Sequence, residues 1–216
     1  TILGADYEGR PIVISVFGHL DTERVFGDPQ RFLRWRVQMM ERALAKLQPW
    51  QLGGPETLLQ VHDYADCAIV RKDARITEAA KTFSQAMWSY YPETKGKTIF
   101  VNFPTIFGVL FAALKTVLPA ATISKFVMLG PVVPSRGTLL EFVPPHWLPE
   151  RYGGLLTEAA VAAGGEGVVP AEVITVAPGE VATRPLPRGA AVRCAMRVLS
   201  KDVKLAVASE SGGVPN

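Results

Sequence analysis

The stretch Tyr90-Tyr91-Pro92-Glu93-Thr94-Lys95-Gly96-Lys97-Thr98-Ile99-Phe100-Val101-Asn102-Phe103-Pro104, then residues 105–118, then Ala121-Thr122-Ile123-Ser124-Lys125-Phe126-Val127-Met128-Leu129-Gly130, decides the fold. Thr98–Asn102 is rich in β-branched and aromatic residues, which predicts a strand. Pro104 stops its ladder, because proline has no N–H to give. Thr105–Leu118 has a helical pattern and Pro119 ends it. Lys125–Leu129 predicts a second strand, closed by Gly130-Pro131. A strand–helix–strand unit of this kind places its two strands parallel, joined by a right-handed crossover.

The helix of that unit has no polar face before Lys115, since Ile106, Phe107, Val109, Leu110, Phe111 and Leu114 surround it with apolar groups. Such a helix is either sealed in a core or covers an apolar cavity and meets lipid, and its residues alone leave both open. It is too short to span a bilayer, which takes about 20 residues.

Working outward, Gly9-Arg10-Pro11 closes a turn that leads into Ile12–Phe17, an apolar run suited to a strand buried on both faces. Asp28-Pro29 starts a helix, with aspartate as N-cap and proline in the first turn. Leu33, Val37, Met40, Leu44 and Leu47 form its apolar face; Arg31, Arg34, Glu41 and Lys46 lie opposite, on a face read as solvated. Thr57–Tyr64 predicts another strand. Thr77 is expected to cap a helix running to Tyr90, with Ile76, Ala80, Phe83, Met87 and Tyr90 on one side. The β-α-β-α-β order predicts an α/β sheet covered by helices.

This ordered set of motifs resembles the CRAL-TRIO lipid-binding domain, the Sec-fourteen-like family. The matching residues are Gly9-Arg10-Pro11, Tyr91-Pro92-Glu93 with Gly96-Lys97, Asn102-x-Pro104, Thr122-x-Ser124-Lys125, and Leu148-Pro149-x-x-Tyr152-Gly153-Gly154. The resemblance implies a mostly parallel sheet, flanking helices and a gating helix over an apolar lipid pocket, formed by Thr105–Leu118. It implies head-group contacts at Glu93, Gly96, Thr122 and Lys125, with Phe83, Met87, Phe103, Ile106, Phe107, Leu110, Phe111 and Leu114 lining gate and pocket. Lys125 is then the cation for a phosphodiester and Thr122 a hydroxyl partner; each charge-assisted bond contributes about 1.5–3 kcal/mol. By motif offset, the positions that serve choline in the founding members are Val13, Leu58, Gln60 and Met87. Three of these four cannot hydrogen-bond through their side chains, so a second ligand less polar than phosphatidylcholine is expected, such as a sterol or tocopherol.

Composition narrows the function classes. The chain has 216 residues, 48% apolar, with a net charge of +3. That charge is too small to argue for nucleic acid, yet suits mild attraction to anionic lipid. Cys67 and Cys194 have no metal or redox spacing and read as free thiols of a reducing compartment. His19, His62 and His146 are scattered, and no phosphate-binding loop or nucleophile elbow is present. Tyr91-x-x-x-Lys95 mimics a dehydrogenase pair but lacks the glycine-rich turn that would hold a dinucleotide. No enzyme, metal or cofactor is expected, beyond a bound phospholipid or other hydrophobe.

The chain opens on Thr1 rather than Met, as expected of a piece of a longer protein. Leu155–Gly167 is Ala/Gly-rich and reads as a linker. Beyond Val168, alternating segments at 172–176, 191–198 and 203–208 predict short strands and resemble the first half of a GOLD β-sandwich. The expected division is 1–157 lipid-binding domain, 158–167 linker and 168–216 partial GOLD-like unit. The expected function is phosphatidylinositol or phosphoinositide binding, exchange or presentation at a membrane surface by a cytoplasmic, peripheral protein. The alternatives are a carrier of a small hydrophobe and a scaffold that recruits a protein partner through the GOLD-like strands.

Overall fold

The computed structural model describes residues 1–18, 20–47, 52–67, 74–103, 120–130, 138–166, 168, 170–172 and 174–185. The elements are β1 (Ile2–Ala5), β2 (Pro11–Val16), α1 (Thr22–Phe26), α2 (Pro29–Leu44), β3 (Leu58–Asp63), α3 (Ala74–Tyr90), β4 (Lys95–Val101), α4 (Ala120–Ile123), β5 (Phe126–Met128), α5 (138–142), a 3-10 turn at Glu150–Tyr152 and α6 (Glu158–Ala162). One sheet runs in the order β1-β2-β3-β4-β5, with β1 antiparallel to β2 and every other pair parallel. The mixed α/β fold with a mostly parallel sheet is therefore present as expected.

Strand alternation sends successive side chains to opposite faces. Ile12, Ile14, Leu59, Val61, Ile99 and Val101 form one face and pack against Leu139, Val143, Leu148, Tyr152, Leu156 and Val161. Each fully buried aliphatic side chain there contributes about 1.5–3 kcal/mol. On the opposite face, Val13 and Leu58 pack against Met40, Ala43 and Leu47 from the α2 side and Met87 of α3.

Several elements differ from expectation. β1 was not expected, being a short edge strand ahead of the turn. The turn is as read: Asp6 N–H donates to the Arg10 carbonyl at 2.9 Å, and Gly9 takes φ of 80°, where a Cβ would be strained. The α2 N-cap is also as read, since the Asp28 carboxylate accepts from Arg31 N–H at 2.9 Å. Its buried face holds Met40 and, just past the helix, Leu47, with Val37 and Leu44 packed beside them as expected, and it also takes in Arg36 and Ala43. Thr77 lies inside α3 rather than capping it, and Tyr90, expected on the packed side, is exposed.

The C-terminal part needs two corrections. The stretch read as a linker holds α6, capped by Thr157, whose Oγ1 accepts from Ala160 N–H at 3.2 Å. Its Val161 joins the core with Leu156, so local helix propensity and two apolar anchors override the linker-like composition. Residues 172 and 174–176, expected as a strand, are in no sheet and are exposed. The other two GOLD-like segments, at 191–198 and 203–208, lie outside the described residues, as do His19, Cys194 and the gate residues Ile106, Phe107, Leu110, Phe111 and Leu114. Among the described residues no helix is long and apolar enough to cross a membrane.

Candidate functional site

The expected head-group residues fall at one edge of the sheet. Glu93 is exposed in the turn between α3 and β4. That turn is tied by Thr94 Oγ1, which donates to the Tyr91 carbonyl at 2.9 Å, and by the Tyr91 hydroxyl, which donates to Glu41 on α2. Lys125 immediately precedes β5, and its carbonyl accepts from Thr98 N–H at 2.8 Å. Thr122 lies in α4, three residues before Lys125. Glu93 and Lys125 thus both sit where parallel strands β4 and β5 begin.

Gly96 has a geometric role. Leu58 pairs with Lys95 and Leu59 with Lys97, so Gly96 is the extra residue of a β-bulge. A Cβ on it would lie 2.3 Å from Thr57 Oγ1 and 3.0 Å from the Leu58 carbonyl oxygen. Glycine is there because the neighbouring strand approaches too closely for a side chain.

Two expected pocket residues sit within packed structure. Met87 is sealed among Val13, Met40 and Leu58, and Phe83 packs on the same cluster beneath Arg36, whose guanidinium carbon lies 4.5 Å from the ring centre. Their helix is held by its own core contacts, so they form the frame of that face. Phe103 does lie beside the sheet, its ring 5.4 Å from Phe100 and 5.5 Å from Tyr64.

The structure brings together residues that sequence reasoning left scattered, Gln60 as a choline position and His62 as a lone histidine among them. Ser15, Gln60, His62, Thr98, Phe100, Phe126 and Met128 alternate with the aliphatic core residues and therefore share the face that carries Val13 and Leu58. Phe17, His62, Tyr64, Phe100 and Phe126 form a run of rings with centres 5.0–5.8 Å apart along successive contacts. All five are only half-buried, although Ile99 and Val101, beside Phe100 in β4, have no exposed surface. One face of β4 is closed and the other is half-open. The available signal was polar–aromatic alternation in Gln60-Val61-His62-Asp63-Tyr64, which looked like an ordinary strand end.

Electrostatics on the half-open face are unusual. Burial, reinforced by the positive charges of Arg36 and Lys95, pushes the His62 imidazole down to about 3, so it is neutral at physiological pH. Burial pushes Arg36 down to about 10, and it remains charged. Burial is also the main cause that raises the Tyr64 phenol to about 12.

The remaining family-like motifs are scaffold. Asp63 is buried at the end of β3 and accepts from Tyr152 Oη at 2.7 Å, Asn102 Nδ2 at 2.7 Å and Ala65 N–H at 2.9 Å. Asn102 adopts φ of 53° and turns the chain out of β4, a conformation asparagine tolerates. Burial, then the bond to Asp63, raises the Tyr152 phenol. Gly154 has no room for a side chain, since a Cβ would lie 1.9 Å from the Leu148 carbonyl oxygen. The described residues also bound an open cleft of about 380 Å³ between β1, α2 and residues 161–164, which no expected site residue lines.

Comparison with known proteins agrees with this architecture. The family model described as the CRAL/TRIO domain matches residues 1–154. Patellin-6 of Arabidopsis thaliana is 35% identical over 159 residues, covering 70% of this chain and 37% of that protein. Phosphatidylinositol transfer protein SFH5 of Ajellomyces capsulatus (strain NAm1 / WU24) is 33% identical over 158 residues, covering 69% of this chain and 34% of that protein. The chain thus spans about a third of the length of these curated relatives. Among solved structures, the crystal structure of Sfh5 matches with a TM-score of 0.51 and 30% identity, over 59% of this chain and 48% of that one.

Proposed function

The chain belongs to the CRAL/TRIO domain family, and from that premise we propose that it binds phosphatidylinositol or a phosphoinositide and exchanges or presents it at membrane surfaces, without catalysis. The observation that carries this reading is the half-open aromatic face of the sheet. Taking an acyl chain out of a bilayer into water costs about 0.8 kcal/mol per CH₂, so a carrier needs apolar surface reserved for cargo. Phe100, Phe126 and Met128 supply such surface, with Phe103 beside them. The gating role falls to residues 105–118, including Ile106, Phe107, Leu110, Phe111 and Leu114. Lys125 binds the phosphodiester, Thr122 and Glu93 bind head-group hydroxyls, and the Gly96 bulge shapes the strand edge between them. The protein is cytoplasmic and peripheral to the membrane.

A second reading, a carrier of a small hydrophobe, is favoured by Val13, Leu58 and Met87. These residues are apolar and sealed together beneath α2 and α3, so they offer a choline lipid no hydroxyl. The two readings agree that phosphatidylcholine is not the second cargo. Lipids extracted from the purified protein and identified by mass spectrometry decide this; abundant phosphatidylcholine would count against both. For the leading reading, Lys125→Ala is expected to remove phosphatidylinositol transfer between vesicles while leaving the fold intact. Unchanged transfer would take Lys125 out of the site.

A further inference from the structure

Helix α2 has an outward face that neither the sheet nor the cargo space uses. Between Pro29 and Lys46 the chain carries five basic side chains, Arg31, Arg34, Arg36, Arg42 and Lys46, against one acidic, Glu41. That excess is larger than the net +3 of the whole chain, so the remainder of the protein leans acidic. Arg36 is buried and the other four are exposed. Glu41 is engaged by the Tyr91 hydroxyl, and among the described residues no carboxylate forms an ion pair with Arg31, Arg34, Arg42 or Lys46. Arg31, Arg34, Gln38 and Arg42 recur at helical spacing and form one stripe about 16 Å long. Trp35 lies beside that stripe and is 52% exposed. Tryptophan is highly buried on average and enriched at protein interfaces. The open cleft of about 380 Å³ adjoins it: Ile2, Met39 and Val161 are its buried or half-buried apolar walls, and Trp35, Gln38 and Arg42 its exposed rim.

We propose that this face docks a short acidic segment of a partner protein, with one large apolar side chain in the cleft and flanking carboxylates on Arg34 and Arg42. An extended chain advances about 3.3 Å per residue, so about five residues run the length of the stripe. Guanidinium groups grip carboxylates through paired, planar hydrogen bonds, and none of these arginines has such a partner within the described chain. A flat bilayer would meet the cations and leave the cleft empty, whereas a side chain from a peptide fills it. Its volume stands at the lower end of the range for ligand pockets, about 300–1,000 Å³, which suits one such group. The apolar anchor supplies affinity, and the charged rim supplies association rate and choice of partner. The inference is independent of the cargo reading, because the stripe is turned away from the α2 residues that pack on Val13 and Leu58.

The test selects random dodecapeptides displayed on phage against the full-length protein. Enrichment is expected for Asp and Glu within about five positions of a Phe, Leu, Ile or Trp. A peptide made to the enriched motif should bind about tenfold more weakly to Trp35→Ala and about a hundredfold more weakly to Arg34→Glu/Arg42→Glu. Its binding to the unmodified protein should weaken between about 0.05 and about 0.5 M salt. All three positions are exposed, so the variants should keep the melting temperature of the unmodified protein to within about 3 °C. Enrichment without an acidic motif, or a selected peptide that binds Arg34→Glu/Arg42→Glu as tightly as the unmodified protein, overturns the proposal. Two further results overturn it by naming another occupant. Vesicles with about 30% phosphatidylserine that bind through Arg34 and Arg42, while no peptide is selected, make a membrane the occupant. Binding of a selected peptide only after residues ahead of Thr1 are removed makes it the protein's own chain.

Discussion

The two faces of the sheet come from the same strands and reach opposite states. On one face Ile12, Leu59, Ile99 and Val101 are aliphatic and fully enclosed by residues 138–161. On the other, among the described residues, packing is tight where α2 and α3 lie over Val13 and Leu58, and the rings of His62, Phe100 and Phe126 are half-buried. Aliphatic side chains reach interior packing density when interdigitated from both sides. A ring-lined, polar-dotted surface with half-buried members is instead a surface that keeps room for something else. One face secures the fold, and the other is free to specialise.

That contrast breaks most readily by substitution at neighbouring positions of one strand. Ile99→Ala is expected to cost about 2–5 kcal/mol in urea unfolding, the usual penalty for a cavity in a closed core. Phe100→Ala, one residue on, should cost less than about 2 kcal/mol despite removing the larger side chain, while weakening binding of parinaric acid. If Phe100→Ala is the more destabilising of the two, the second face is ordinary core and the carrier reading loses its main support.

Asp63 belongs to the closed side, and removing it should act on stability alone. Asp63→Ala leaves the Tyr152 hydroxyl without its acceptor and removes the bond to Asn102, at an expected cost of about 2–3 kcal/mol. Probe affinity per folded molecule should not change. A specific loss of ligand binding would show that the Asp63 cluster shapes the cargo space.

His62 gives the open face a pH signature. Its folded pKa is depressed to about 3 from the ordinary 6.5, so as pH falls the unfolded chain takes up the proton first. The stability that this neutral imidazole confers is complete above 6.5 and is lost progressively as pH falls toward 3. Between about pH 7 and about pH 5 the loss is about 2 kcal/mol. Burial also lowers His146, which adds in the same direction. Thermal melts of His62→Phe beside the unmodified protein isolate the His62 share: the variant should lose about 2 kcal/mol less over that range. Superimposable pH profiles would mean that His62 is hydrated and that its face is far more open than its ring contacts imply.

The closed face was legible in the sequence because β-branched and apolar runs such as Ile12–Val16 and Thr98–Val101 have few other places to go. The open face was not, since Gln60, His62 and Tyr64 alternate with Val61 and Asp63 as they would in a strand with one wet side. Arg36 stayed hidden because the α2 face was read from apolar spacing alone. An arginine four residues before Met40 shares that face whatever its charge. The head-group assignments at Glu93, Gly96, Thr122 and Lys125 rest on motif resemblance alone, and to these the structure adds that Gly96 is the extra residue of a bulge. Composition misled at 158–162, where alanines suggest a tether and Val161, with Leu156 just ahead of the helix, seats it in the core.

Gly96 holds the two faces apart, and its substitution is the smallest and sharpest test of them. The bulge at Gly96 resets β4 by one residue against β3, and that reset sends Ile99 and Val101 to the closed face and Thr98 and Phe100 to the open one. Gly96→Ala puts a methyl group against Thr57 Oγ1 and the Leu58 carbonyl. The expected cost is about 1–2 kcal/mol, as the strands ease apart rather than slip and bury Phe100 at the expense of Ile99. Adding Thr57→Ala should recover only part of it, because the backbone oxygen at 3.0 Å remains. Phosphatidylinositol transfer, corrected for the folded fraction, should then fall no more than slightly in Gly96→Ala and heavily in Lys125→Ala. Equal losses in the two variants would return Gly96 to the head-group site, since a bulge residue acts on the ligand only through the strand it shapes.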